Sequence, residues 1–166
     1  GMAAISMGAV DIARRLAARN LSILADAVRQ GYTIVASEPA AALCLRHEYL
    51  NLFDEEDARL VAENTSEACT YLWRLHQAGK LELDLRPLNA TLGYHLPCHL
   101  KALQVGSPGE DLLRLIPGLT LQRIERGCSG MAGLLGLRRQ NYRTSLRAGW
   151  GLISALRNPE LQTGVT

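Results

Sequence analysis

The sequence lacks any long apolar run. No stretch approaches the roughly 20 residues that a bilayer-spanning helix needs, and no basic segment followed by an apolar one opens the chain, so neither a transmembrane segment nor a secretory signal is read. A charge excess is missing as well. Eighteen Lys and Arg stand against sixteen Asp and Glu, a formal net charge of +2, with no concentrated basic face; nucleic acid is therefore not an expected partner. Nucleotide signatures are absent, with neither a Gly-x-Gly-x-x-Gly nor a Walker sequence. Cysteine is scarce. Cys44, Cys69, Cys98 and Cys128 are too few and too scattered for a disulfide framework, which a chain of 166 residues does not need, so reduced thiols and a cytoplasmic setting are expected.

What is present is enough for a core. An apolar content of 48% and a mean hydropathy near zero suit one soluble globular domain, or two small lobes sharing a core. Gly1-Met2 reads as an expression scar ahead of a natural segment, and hence the chain as cut from something longer. Two phrases thirty residues apart stand out: Tyr94-His95-Leu96-Pro97-Cys98-His99-Leu100 and Gly127-Cys128-Ser129-Gly130-Met131-Ala132-Gly133. Each is expected to set a cysteine in a strand-to-helix turn, where backbone N–H groups favour the thiolate and so metal or cluster ligation.

Periodicity predicts a helix over residues 10–30, with Ile12, Leu16, Leu21, Leu24, Ala27 and Val28 on its apolar side and Gly31 as its stop. A strand is expected over 32–36, followed through Ser37-Glu38-Pro39 by a helix to residue 52 that carries Cys44. Asp54 reads as the cap of one long helix over 55–78. Residues 80–90 read as a surface connection, 91–96 as a strand, 107–116 as a short helix and 119–125 as a strand. A final helix is expected over 137–157, stopped by Asn158-Pro159.

Strands separated by helices imply an α/β fold, parallel-strand layers flanked by helices, with ligands at the carboxyl ends of the strands. On one shared sheet, residues 37–44, Cys98 and Cys128 would all face one rim. A faint repeat has two readings, a second level of organisation or two unrelated amphipathic helices: Gly8, Arg15, Leu24, Ala27 and Arg29 recur 128 residues on as Gly136, Arg143, Leu152, Ala155 and Arg157.

The Tyr-His-x-Pro-Cys-His-Leu phrase, then Leu-Leu-x-x-Ile-Pro-Gly-Leu, then Gly-Cys-Ser-Gly-Met-Ala-Gly resembles the cysteine-rich CCG domain of iron–sulfur oxidoreductases. That group includes the iron–sulfur subunits of anaerobic glycerol-3-phosphate dehydrogenase and glycolate oxidase and the corresponding component of heterodisulfide reductase. The resemblance covers most of the chain. It implies a fragment spanning two pseudo-repeated domains: residues 1–85, the C-terminal part of a first repeat with a connecting helix, and 86–166, the N-terminal part of a second. The family's domain has one cysteine, later a Cys-Cys-Gly, and later still a Cys-x-x-Cys, five thiolates that hold clusters. Carried over, Cys98 matches the first cysteine and Cys128 the first of the doublet, with Gly130 in the cofactor-binding turn and Ser129 where the second thiol belongs. Cys44 matches the tail of the preceding copy as a further metal ligand, Ala41 replacing its neighbour thiol. The Cys-x-x-Cys of the second copy would begin about where Thr166 ends the chain, so the fragment alone is expected to be apo and inactive.

The resemblance further implies a 4Fe-4S-type iron–sulfur cluster in the full-length protein, FAD on another domain or subunit, and a flavin-dependent dehydrogenase of the 2-hydroxyacid or glycerol-3-phosphate type as partner, with electrons passed to a quinone or thiol acceptor. It places the complex in the cytoplasm, with peripheral association at the inner face of the cell membrane as the variant. Two alternatives stand beside it: a degenerate, cluster-free docking module, and a zinc-binding form. His95 and His99 flank Cys98 and could join a mixed zinc site with Cys128, but their spacing fits hydrogen bonds that support a ligand, or surface exposure, better. Cys69 reads as a small buried hydrophobe, and Cys44 equally admits that role. Gly-Cys-Ser-Gly looks superficially like a nucleophile turn, yet no acid is placed to orient a histidine base.

Overall fold

The computed structural model describes residues 1–131 and 135–166; Ala132 and Gly133, which end the second cysteine phrase, lie outside the described residues. The chain is an α/β protein with helices flanking parallel strands, and it divides into two compact units, Gly1–Tyr71 and Leu72–Thr166.

The first unit opens with α1 (Met2–Ser6) and the long α2 (Val10–Arg29). Gly31, at φ +91°, ends α2: its N–H reaches the Val28 carbonyl at 2.9 Å and the Tyr32 N–H the Ala27 carbonyl at 3.1 Å, satisfying carbonyls that a helix end leaves open. The buried stripe of α2 is Ala13, Ala17, Leu21 and Ala25, whereas Ile12 and Leu16, expected inside, are exposed. Close packing explains the inversion. Ala17 and Ala25 lie in one core with Ala58 and Val61 of α5 (Glu56–Glu63), and an alanine face lets two helices approach where a leucine face would hold them apart.

Between them run β1 (Ile34–Ala36), α3 (Pro39–Leu43), a turn of π-helix over Cys44–Glu48, and α4 (Tyr49–Leu52), so the helix expected to residue 52 forms with a π-turn inside it. The long helix expected over 55–78 does not form. It is split by β2 (Thr65–Glu67), which pairs in parallel with β1 in the register Ile34↔Thr65, before α6 (Ala68–Gln77) resumes. Asn64-Thr65-Ser66 supplies the break, because short polar side chains compete with helical hydrogen bonding: the Thr65 hydroxyl donates to the Val61 carbonyl at 2.6 Å and the Asn64 amide to the Leu60 carbonyl at 2.8 Å.

The second unit is built on a parallel sheet with strand order β4-β3-β5, where β3 is Ala90–Tyr94, β4 is Leu119–Arg123 and β5 is Thr163–Val165. Leu92 of the central strand is in register with Leu121 on one side and Thr163 on the other. The helices α7 (Cys98–Ala102) and α8 (Pro108–Leu113) lie between β3 and β4, and α9 (Tyr142–Leu156) precedes β5. The helix expected from residue 137 begins as 3-10 turns at Leu135–Leu137 and Arg139–Asn141 and becomes α-helical only at Tyr142. Among the described residues no helix is long and apolar enough to cross a membrane.

Candidate functional site

The rim at the carboxyl ends of β3 and β4 holds the two cysteine phrases. After Tyr94 the chain passes through buried His95 and extended Pro97 (ψ 145°) into Cys98, the first residue of the five-residue α7, where the thiol is exposed. After Arg123 it passes through buried Ile124 to Gly127 and Cys128, whose thiol is half-buried. Cys128 does not start a helix, contrary to the expectation for its turn. Irregular backbone follows it, and its sulfur instead accepts the Gly130 N–H at 3.2 Å. Among the described residues, a local N–H therefore takes the place of a helix N-terminus at this thiol.

The turn after Cys128 lies flat on α9. Gly130, at φ +83°, is buried, and a Cβ there would collide with the Ser145 carbonyl; the Ser145 hydroxyl donates to the Gly130 carbonyl at 2.9 Å. A Cβ on Gly149 would stand 2.7 Å from the Ser129 carbonyl. Glycine on both surfaces removes the side chains that would separate them. Beside this contact an open cleft of about 200 Å³ runs along α9, with Cys128, Gly130, Thr144, Ser145 and Ala148 in its wall.

His95 is 3% exposed and bonded at both ring nitrogens, to the Gly127 carbonyl at 3.2 Å through Nε2 and to the Thr166 hydroxyl at 3.1 Å through Nδ1. It is thus engaged in hydrogen bonds rather than open to a ligand, as its spacing suggests. His99 sits in the first turn of α7.

Cys44 belongs to the first unit and its separate two-stranded sheet, so residues 37–44 do not share a sheet rim with Cys98 and Cys128. It lies in the core with Leu21, Tyr49, Ala58 and Val61, and burial pushes its thiol pKa up, the nearby Glu48 charge adding to the effect. Tyr49, also raised by burial, has its hydroxyl held by the Asn20 amide at 2.9 Å. Cys69 is likewise raised, first by burial and then by Glu67. Glu67 is a carboxylate that sequence periodicity does not single out: it is buried, and accepts the N–H groups of Cys69 and Thr70, both at 2.9 Å, as the cap of α6.

Among the described residues no three His, Cys, Asp or Glu side chains come together as a metal-holding group. An iron–sulfur cluster takes about four thiolates, so the described residues do not by themselves make its donor set.

No family profile matches the chain, and no solved structure matches it. Curated proteins do. The chain is 33% identical over 150 residues, 90% of its length, to the C subunit of the anaerobic glycerol-3-phosphate dehydrogenase of Escherichia coli (strain K12), and equally to that of Escherichia coli O157:H7. It is 29% identical over 153 residues to the D-2-hydroxyglutarate dehydrogenase of Pantoea ananatis (strain AJ13355), where it covers 14% of the relative. The chain spans 37% of the length of each of the two Escherichia coli proteins. Over nearly all of its own length, then, this chain is homologous to part of dehydrogenase-related oxidoreductase proteins.

Proposed function

We propose that the chain is part of an iron–sulfur oxidoreductase that, in the whole protein, relays electrons from a flavin-dependent dehydrogenase of the 2-hydroxyacid or glycerol-3-phosphate type towards a quinone or thiol acceptor. Cys98 and Cys128 are the thiolates it contributes, Gly130 shapes their turn, and the remaining ligands come from outside the described residues. The observation that carries this reading is positional. A match over 90% of 166 residues contains the whole segment from Cys98 to Cys128, so the homology to dehydrogenase-related proteins extends through both thiols. The ends of adjacent parallel strands are also where α/β sheets bind their ligands. Cys44 contributes packing in this reading, since a buried thiol with a raised pKa is a poor source of thiolate.

The test is iron and sulfide analysis of the full-length protein after anaerobic reconstitution, with reduction by the dehydrogenase substrate followed by electron paramagnetic resonance. Bound iron and sulfide that fall in Cys98→Ala and Cys128→Ala support the relay. Absence of both, with dehydrogenase activity intact, overturns it.

A second reading is a cluster-free module that docks partner proteins. It is favoured by Ser129 at the position of a thiol. Metal analysis separates the two, and zinc in place of iron would indicate the zinc-binding form.

A further inference from the structure

His95, the residue just past the central strand β3, reaches the segments on both sides of it. The His95 N–H donates to the Val165 carbonyl at 2.9 Å, continuing the β3–β5 ladder, and the Ile124 N–H donates to the Tyr94 carbonyl at 2.7 Å, continuing the β3–β4 ladder. Between these backbone bonds the imidazole makes two more, to Gly127 on the β4 side and Thr166 on the β5 side. A carbonyl oxygen can only accept, so Nε2 must carry a proton. In the neutral ring Nδ1 is then the acceptor, and the bonds run in one direction: Thr166 hydroxyl to Nδ1, and Nε2–H to the Gly127 carbonyl.

We infer that His95 is the positioning residue of the thiol rim: a buried imidazole that fixes the Cys128 turn to the strand leading into Cys98 and to the end of β5. Gly127 immediately precedes Cys128, and His95 is three residues before Cys98. One rigid ring thus spans the segments that carry the two thiols. An apolar side chain of similar size would fill the space but make neither bond, so it would tie the ring position to neither Gly127 nor Thr166. The inference concerns thiol placement and stands whether or not a cluster binds. Only its consequence for metal capture rests on the proposed function.

The test uses the full-length protein without metal and under reducing conditions. Nitrogen-15 resonances of the His95 ring should show a protonated Nε2 whose proton exchanges slowly, and Thr166→Val should move the Nδ1 resonance while leaving Nε2–H in place. Peptide-resolved alkylation should show Cys128 reacting about fivefold faster in His95→Ala, the equivalent of one net hydrogen bond, with exposed Cys98 as the internal reference. His95→Gln, whose side-chain amide can donate from nearly the same place, should restore the wild-type rate. An unprotonated Nε2 overturns the inference. So does an unchanged Cys128 rate in His95→Ala, or a rise in hydrogen exchange spread evenly over Leu72–Thr166 that His95→Gln fails to reverse.

Discussion

The Ser145 carbonyl occupies the space that a Cβ on Gly130 would need, while the Ser145 hydroxyl bonds the Gly130 carbonyl at 2.9 Å. The turn after Cys128 is therefore held to α9 by one residue used twice. At φ +83° Gly130 also has the left-handed backbone that other residues adopt only under strain. Gly130→Ala should destabilise the second unit by about 2–4 kcal/mol, the sum of backbone strain and overpacking. Ser145→Ala should cost about 1 kcal/mol, for the hydrogen bond alone. Thermal unfolding of the two variants checks this order, and equal costs would mean that the close approach is relaxed without strain.

Glu67 gives a second prediction. Its carboxylate accepts two backbone N–H groups at 2.9 Å and the Thr70 hydroxyl at 3.0 Å in a buried setting. Glu67→Ala leaves those donors without acceptors and should cost about 2 kcal/mol, as expected for a lost cap with charge-assisted bonds. Glu67→Gln keeps one carbonyl acceptor and should cost roughly half as much. Urea midpoints of the two variants measure the difference.

How far the sequence anticipates this structure depends on how strongly each segment specifies itself. The strands at Leu92 and Leu121 and the helix ended by Gly31 have periodicity or a stop residue of their own, and they form where expected. The segments Thr65–Glu67 and Thr163–Val165 are three residues long and carry no alternation of apolar side chains. They become strands because β1 and β3 offer them a parallel edge, which is a tertiary fact. The same holds for α2: helical spacing puts Ile12 and Leu16 on the expected apolar side with Leu21, but close helix packing buries Ala13, Ala17 and Ala25 beside Leu21 instead. At the site, both cysteine phrases are legible as motifs. Local pattern does not reveal that Cys128 precedes irregular backbone, or that His95 turns inward between two strand ends, because both depend on what α9 and β5 bring alongside. The Tyr94-His95 pair near the carboxyl end of the expected strand is the signal available.

The first unit should lose stability in alkali. Cys44, Cys69 and Tyr49 all have their pKa values raised, with burial the leading cause in each. For an acid whose folded-state pKa exceeds its unfolded one, the folded state binds the proton more tightly, so the contribution is complete below the ordinary pKa and is lost as pH rises through the folded value. The window opens near pH 9 for the thiols, whose ordinary value is 9.0, and extends beyond 10 for Tyr49, whose ordinary value is 10.0. The urea midpoint should therefore fall as pH rises from about 9, and less steeply in Cys44→Ala, which removes one of the three groups. An equal slope in that variant would remove Cys44 from the account.

Ser129 provides the decisive substitution for the proposed function. It is exposed and directly follows Cys128, at the place where the resembling domains carry the second thiol of a pair. Its carbonyl faces the glycine gap at Gly149, so a change confined to the side chain need not disturb the approach of the turn to α9. Serine and cysteine differ by one atom, while the thiolate is by far the better ligand for iron in a cluster. Ser129→Cys in the full-length protein should thus raise iron and sulfide retained per chain after anaerobic reconstitution, and adding Cys128→Ala should bring the gain back down. Retained iron is the quantity to measure, alongside a thermal melt showing that the fold is unchanged. If parent and Ser129→Cys alike retain no iron or sulfide after reconstitution, with the fold intact, the rim is not a cluster site and the docking reading takes its place.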